Sequence, residues 1–196
     1  MSKPTIIFDF DGVLAHSEEV LLEALNFALK SLGIRELNKK EYKNKSKLEL
    51  LKSRKIGKFK LALLIFIARR YMNKNHHRIL KNDEIINFLS KIQLKKRIVS
   101  SNSTKNIRLI LKEDTSLFLN IIGGVGLYSK HRVLKRYAHN SIYITDEIRD
   151  IIACKKVNLP VYAVTWGVDS KEKLLSEKPS GLFETPHELK DFLEKF

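Results

Sequence analysis

Short apolar runs alternate with helical stretches along most of this chain, and that alternation restricts its fold more than any other feature. Thr5–Phe8 is a compact run carrying two isoleucines, and further runs follow at Arg97–Ser100, Asn120–Ile122, Ser141–Thr145 and Pro160–Thr165. Their length and apolar, β-branched content predict buried strands. Helical patterns separate them: Glu84–Ile92 behind a cap at Asn82 or Asp83, a stretch through Ile107 and Leu111, Lys130 to about Ala138, and about Glu147–Lys156. Gly181–Phe183 reads as an edge or hairpin-like piece, and Pro186–Leu193 as a closing helix. Strands separated by helices pair in parallel through right-handed crossovers. The predicted class is therefore α/β, a doubly wound parallel sheet with helices on both faces.

One interval is too long for a single crossover. Ser17 is a helix N-cap candidate, with Glu18 and Glu19 in the first turn, where the helix dipole favours acids. Val20, Leu21, Ala24, Leu25, Ala28 and Leu32 continue the helix, and Gly33 is placed to end it. Residues 34–80 then read as helical, polar and basic, with one apolar stripe at Leu61–Ala68 and no strand pattern. The expected division is a core of 1–15 plus 88–196 and an inserted helical cap at 16–87. Arg54, Lys55, Lys58 and Lys60 are cap residues that could meet an anionic substrate, although solvent-facing positions suit them as well.

The 196 residues are 43% apolar, enough for a packed core, and carry only 8 Gly and 4 Pro. The formal charge of +15 admits three readings: a field that attracts anions, a nucleic-acid surface, or a Lys-, Ile- and Asn-rich composition with no function. Denser charge at Lys39–Lys60 and Lys95–Arg97 lacks interleaved aromatics, zinc spacing or a basic tail, so composition is preferred and nucleic acid disfavoured. The single cysteine, Cys154, cannot form an intrachain disulfide, which suits a reducing compartment. The longest apolar run, Leu61–Ala68, falls short of the ~20 residues that span a bilayer, and no leader pattern precedes the first strand. A cytoplasmic protein without membrane partners is expected.

Four constellations carry chemistry. Asp9-Phe10-Asp11-Gly12 ends the first strand, where open parallel sheets bind ligands. Residues two apart on a strand share a face, with Cα atoms roughly 6–7 Å apart, so a phosphoryl group fits between the two carboxylates. One can attack phosphorus while the other handles the leaving-group proton. Ser101-Asn102 follows the second core strand, offering a hydroxyl and amides before a helix. Lys130 opens a helix after a glycine-containing loop. An ammonium 4 Å from a carboxylate interacts by about 4 kcal/mol in a partly screened site, against about 1 in water, so such a lysine matters only inside a cleft. Asp146 to Asp150 ends the fourth core strand and would complete a hard-oxygen site for Mg²⁺. Each segment alone also reads as ordinary turn or capping chemistry; their order at successive strand ends separates the two readings.

With those segments in place, the chain resembles the haloacid dehalogenase-like superfamily, in particular its phosphoglycolate-phosphatase-like members with a helical cap and a Rossmann-like core. Asp9-Phe10-Asp11-Gly12-Val13-Leu14 is similar to the first family motif, Ile98-Val99-Ser100-Ser101-Asn102 to the second, and Tyr143-Ile144-Thr145-Asp146-Glu147-Ile148-Arg149-Asp150 to the fourth. Lys130 falls at the family lysine, and Ala163-Val164-Thr165-Trp166-Gly167 also fits. The resemblance implies an enzyme, a Mg²⁺-dependent phosphatase that hydrolyses a small phosphorylated metabolite through an aspartyl phosphate. Asp9 would be nucleophile and metal ligand. Asp11 would be general acid/base, with its carbonyl on the metal. Gly12, Ser101 and Asn102 would bind phosphate, and Lys130 would neutralise charge. Asp146 would ligate Mg²⁺, with Asp150 supporting it directly, through water, or through Lys130.

Two departures stand out. Thr145 occupies a position where the family usually has glycine, an exchange expected to cost local adjustment rather than activity. His16 replaces a common aspartate; it could touch substrate where the chain enters the cap, but packing at the hinge is the preferred expectation. The alternatives are a phosphomutase or phosphotransferase on the same fold, and a non-catalytic or nucleic-acid-linked module. Neither the physiological ester nor the oligomeric state can be read from the residues.

Overall fold

The computed structural model describes residues 3–44, 54, 56–126 and 129–196. Its main sheet has six strands: β1 Thr5–Phe8, β4 Lys96–Val99, β5 Asn120–Ile122, β6 Ser141–Thr145, β7 Val161–Val164 and β8 Gly181–Phe183. Their spatial order is β5-β4-β1-β6-β7-β8, and every neighbouring pair is parallel. The chain therefore winds outward from β1 in both directions. This makes the carboxyl end of β1 the switch point, where such sheets open a ligand crevice.

β1 is central because Ile6, Ile7 and Phe8 are all fully buried, as expected of a strand covered on both faces. Ile7, Val99, Tyr143, Val161 and Ala163 form one apolar cluster with Leu134 and with Ile151 and Cys154. Burial pushes the Cys154 thiol up, so it serves as a small core residue. Asn82 caps the helix Asp83–Lys91 by accepting from Ile85 N at 3.3 Å, which resolves the Asn82-or-Asp83 alternative. Ser103 caps Thr104–Leu111 in the same way.

Several elements of the structure depart from the pattern in the sequence. Of the two readings of Gly181–Phe183 the edge strand holds, β8 pairing in parallel with β7, but the crossover leading to it contains the helix Lys171–Ser176, which the pattern did not reveal. Its six residues, KEKLLS, are too short and polar for a clear period. The helix opened by Lys130 ends at Lys135, because Arg136 and Tyr137 bond three residues back and tighten the turn. A 3₁₀ segment, Lys112–Leu117, precedes β5. A two-stranded antiparallel pair joins β2 Ala15–His16 to β3 Leu80–Lys81, too short to show alternation. His16 is exposed there.

The chain divides into two compact units, one of Met1–His16 with Leu80–Phe196 and one of Ser17–Ile79. The second ends earlier than the 16–87 expected for the insertion. β3 pairs with β2, and the helix Asp83–Lys91 packs against the closing helix Pro186–Leu193, so both belong with the sheet. Within the helical unit, Glu18–Ser31 packs on Lys58–Lys74. Gly33 ends the first of these at φ +66°, with Ile34 N donating back to Leu29 O at 2.9 Å. Ser17 precedes that helix without a side-chain cap bond. Arg54 donates to the carbonyls of Arg35 and Glu36 and pairs with Glu41, whereas Lys60 is exposed. Lys55 lies outside the described residues, as does the side chain of Lys58.

Candidate active site

Every residue expected in the site belongs to the unit built on the six-stranded sheet, and each sits at a strand's carboxyl end or in the helix after it. Asp9 follows β1, Ser101 and Asn102 follow β4, Lys130 opens a helix after β5, and Asp146 and Asp150 follow β6. Asp9, Lys130, Asp146 and Asp150 are 3%, 4%, 0% and 0% exposed. Four charged groups at that burial require compensation from each other and from fixed dipoles.

Lys130 supplies much of it. Its ammonium donates to Asp9 Oδ2 at 2.9 Å and also to Asp150 Oδ2, and it lies 5.3 Å from the centre of the Tyr143 ring. Burial alone would lower its pKa, but Asp150 and Asp9 more than offset that and hold it above the ordinary lysine value. Lys130 is thus a buried cation between two carboxylates. Asp9 Oδ1 accepts from Phe10 N at 2.7 Å, so both of its oxygens are held.

Asp11 is positioned differently. Asn102 Nδ2 donates to Asp11 Oδ1 at 3.1 Å. Asn102 is itself fixed: its Oδ1 accepts from Ser103 N and Asn106 Nδ2, and its carbonyl accepts from Gly124 N at 2.6 Å. Gly123 permits that close approach, since a Cβ there would lie 2.3 Å from Thr104 N. Asn102, expected beside the phosphate, is bonded to Asp11. Ser101 is half-buried at the same strand end. The two carboxylates of the Asp-x-Asp pair therefore meet different partners, an ammonium for Asp9 and a neutral amide for Asp11.

Asp146 is held by two glycines. A Cβ on Gly12, whose φ is +76°, would sit 2.0 Å from Asp146 Oδ2, and one on Gly167 would sit 2.2 Å from the same atom. Val168 N donates to that oxygen at 2.8 Å, and Asp169 N donates to the Asp146 carbonyl at 3.3 Å. Asp169 then accepts from Ile148 N at 2.8 Å, linking this loop to the helix that carries Asp150. Neither Gly167 as a contact of Asp146 nor Asp169 was legible beforehand, because each acts on a residue more than fifteen positions away. Gly167→Ala should push the Asp146 carboxylate aside, at a cost of about 1–3 kcal/mol from overpacking. Thermal denaturation should show a melting temperature lower by roughly 2–10 °C, and an unchanged melting curve would mean the loop simply yields.

Asp150 is surrounded on Oδ2 by Lys130 Nζ, Tyr143 OH at 3.2 Å and Thr145 Oγ1 at 3.2 Å. Burial raises its pKa while Lys130 opposes the rise, and the net direction is upward. Arg149 Nε is 3.9 Å from Oδ1.

Mg²⁺ is satisfied by one or two carboxylates together with phosphate and water oxygens. The carboxylates of Asp9 and Asp146 and the carbonyl of Asp11 are hard oxygen donors of that kind, and the two glycines make room for the Asp146 carboxylate. Among the described residues, no group of three or more His, Cys, Asp or Glu side chains forms a preassembled cage. A metal that keeps its waters and substrate does not need one. The donor chemistry fits.

The parallel sheet thus brings paired carboxylates to its switch point, with a buried lysine against one of them, an arrangement suited to phosphate-ester chemistry. The chain belongs to the haloacid dehalogenase-like hydrolase family, whose model matches residues 6–164. It is similar to a phosphoglycolate phosphatase of Synechococcus elongatus, at 27% identity over 199 residues and 94% of both chains. Among solved structures, a predicted phosphatase from Clostridium acetobutylicum superposes with a TM-score of 0.85 at 22% identity, covering all of both chains. A haloacid dehalogenase-like family hydrolase from Streptococcus pneumoniae gives 0.77 at 20% identity, covering 97% of this chain and 98% of that one. Among the described residues, no helix is long and apolar enough to cross a membrane.

Proposed function

We propose that the chain is a Mg²⁺-dependent phosphomonoesterase that works by double displacement on a small phosphorylated metabolite. The observation that carries this reading is the buried Lys130 ammonium donating to Asp9, with Asp11 two residues on aimed by the Asn102 amide. A nucleophile next to a phosphate needs its charge offset, and a proton carrier needs a fixed aim. In the first step an Asp9 oxygen bonds to phosphorus as the ester P–O bond breaks, and the Asp11 carboxyl gives its proton to the leaving oxygen. In the second step Asp11 takes a proton from water as that water bonds to phosphorus. The Asp9–phosphorus bond breaks, inorganic phosphate leaves, and both aspartates return to their starting states.

Asp9, Asp146 and the Asp11 carbonyl would hold the metal, which when bound neutralises phosphate charge and orients the phosphoryl group. Ser101 would bind phosphoryl oxygens, whereas Gly12, expected to do so as well, already donates its amide to the Ala15 carbonyl at 2.9 Å and serves instead by leaving room for Asp146. Asp150 is assigned to act through Lys130, because its Oδ2 is already engaged by that ammonium and two hydroxyls. We assign the inserted helical unit the role of a specificity cap. Phosphoglycolate is the first substrate to test, on the likeness to the Synechococcus enzyme.

Hydrolysis of a generic aryl phosphate should require Mg²⁺ and stop with EDTA, and phosphoglycolate should lead a panel of phosphate monoesters in kcat/KM. Absence of phosphate release under every metal condition would sink the enzymatic reading. A different leading ester would sink only the substrate assignment.

A further inference from the structure

We propose that Thr145 is a positioning residue of this site: its hydroxyl fixes the Asp150 carboxylate, which in turn holds the Lys130 ammonium against Asp9. The proposal rests on the reaction just described. It starts from the residue expected only to be tolerated where glycine is usual.

Thr145 is the last residue of β6, pairs in register with Ala163 of β7, and is fully buried. Its φ is not among the positive values in the chain, so nothing in the backbone demands glycine there. Side chains two apart on a strand share a face, which puts Tyr143 and Thr145 together on the side facing Lys130 and Asp150. Asp150 arrives from the first turn of the helix Ile148–Lys155. Its Oδ2 then meets three donors, Lys130 Nζ, Tyr143 OH and Thr145 Oγ1.

The two hydroxyls are not equivalent. Each carries one proton. Tyr143 OH lies 2.9 Å from the Val99 carbonyl and 3.2 Å from Asp150, so its proton is divided between two acceptors. Thr145 Oγ1 has Asp150 as its acceptor, and its other contact is a bond that it receives from Glu147 N at 3.2 Å. The threonine proton is therefore wholly available to Asp150, and its lone pair anchors the backbone between Asp146 and the helix. Thr145 ties together the two segments that set where Asp150 stands. Among the described residues the carboxylate's other oxygen, Oδ1, has no hydrogen bond; Arg149 Nε lies 3.9 Å from it. Without the threonine hydroxyl, Asp150 would keep only the lysine and the tyrosine proton that it shares with Val99.

Two substitutions separate this role from packing. Thr145→Val keeps the volume and removes the hydroxyl, whereas Thr145→Ser keeps the hydroxyl and removes the methyl. With Mg²⁺ and an aryl phosphate, Thr145→Val should lose about tenfold in kcat with KM within about twofold, the size expected from losing one hydrogen bond to a charged group. Thr145→Ser should stay within about threefold of the parent protein. If Thr145→Val does not fold, Thr145→Ala against Thr145→Ser gives the same comparison. A valine variant with unchanged kcat, a serine variant that falls as far, or a loss confined to KM overturns the proposal while the phosphatase reading stands. A parent protein that releases no phosphate overturns both.

Discussion

Asp9→Asn should reduce kcat/KM for an aryl phosphate by roughly 10⁴-fold or more, because the amide cannot form the covalent bond on which the two-step route depends. The substitution is nearly isosteric, and Asn can still accept from Phe10 N through its carbonyl oxygen. It removes one partner of Lys130, which keeps Asp150. The fold should therefore survive, with a melting temperature within several degrees of the parent. A rapid-quench mass measurement should detect a phosphoryl adduct on the parent chain and none on the variant. Turnover by Asp9→Asn within about tenfold of the parent would move the nucleophile elsewhere.

Asp9 stands out in the sequence itself, whereas the contacts that restrain it do not. Asp9, Ser101, Lys130 and Asp146 were legible because each follows an apolar strand, and parallel topology sends successive strand ends to one edge. Local pattern plus one topological rule was enough. The helix Lys171–Ser176 and the pair Ala15–His16 with Leu80–Lys81 were too short to show a period, and the pair moved the inner boundary of the helical unit from 87 to 79. The contacts that hold the site escaped for a different reason. Gly167 matters through Asp146 and Asn102 through Asp11, and each partner comes from another strand end. Thr145 looked like a tolerated exchange because a glycine position suggests a backbone demand. In the structure the backbone makes none, and the side chain finds a buried carboxylate five residues on. A sequence shows which chemistry is present at a strand end more readily than which neighbour restrains it.

Lys130→Met should be the most destabilising of the site substitutions. The ammonium is buried between Asp9 and Asp150, and methionine fills a similar volume without charge. Removing one partner of a buried ion pair leaves the other uncompensated, at a cost of about 3–5 kcal/mol, and here two carboxylates are left. For a chain of this length that corresponds to a melting temperature lower by roughly 6–20 °C. Activity should fall by at least about 100-fold, since a nucleophile without its cation repels an incoming phosphate. Adding Asp150→Asn to Lys130→Met should recover part of the lost stability, because the second change removes a buried charge that has lost its partner. Activity should not recover, because Asp9 still lacks the ammonium. That opposition would distinguish a catalytic ion pair from a structural one: on the proposed mechanism stability follows the balance of charge, whereas rate follows the Lys130 ammonium at Asp9. Equal melting temperatures for the single and double variants would show that Asp150 does not depend on Lys130, and the chain of contacts from Thr145 to Asp9 would then break at its middle link.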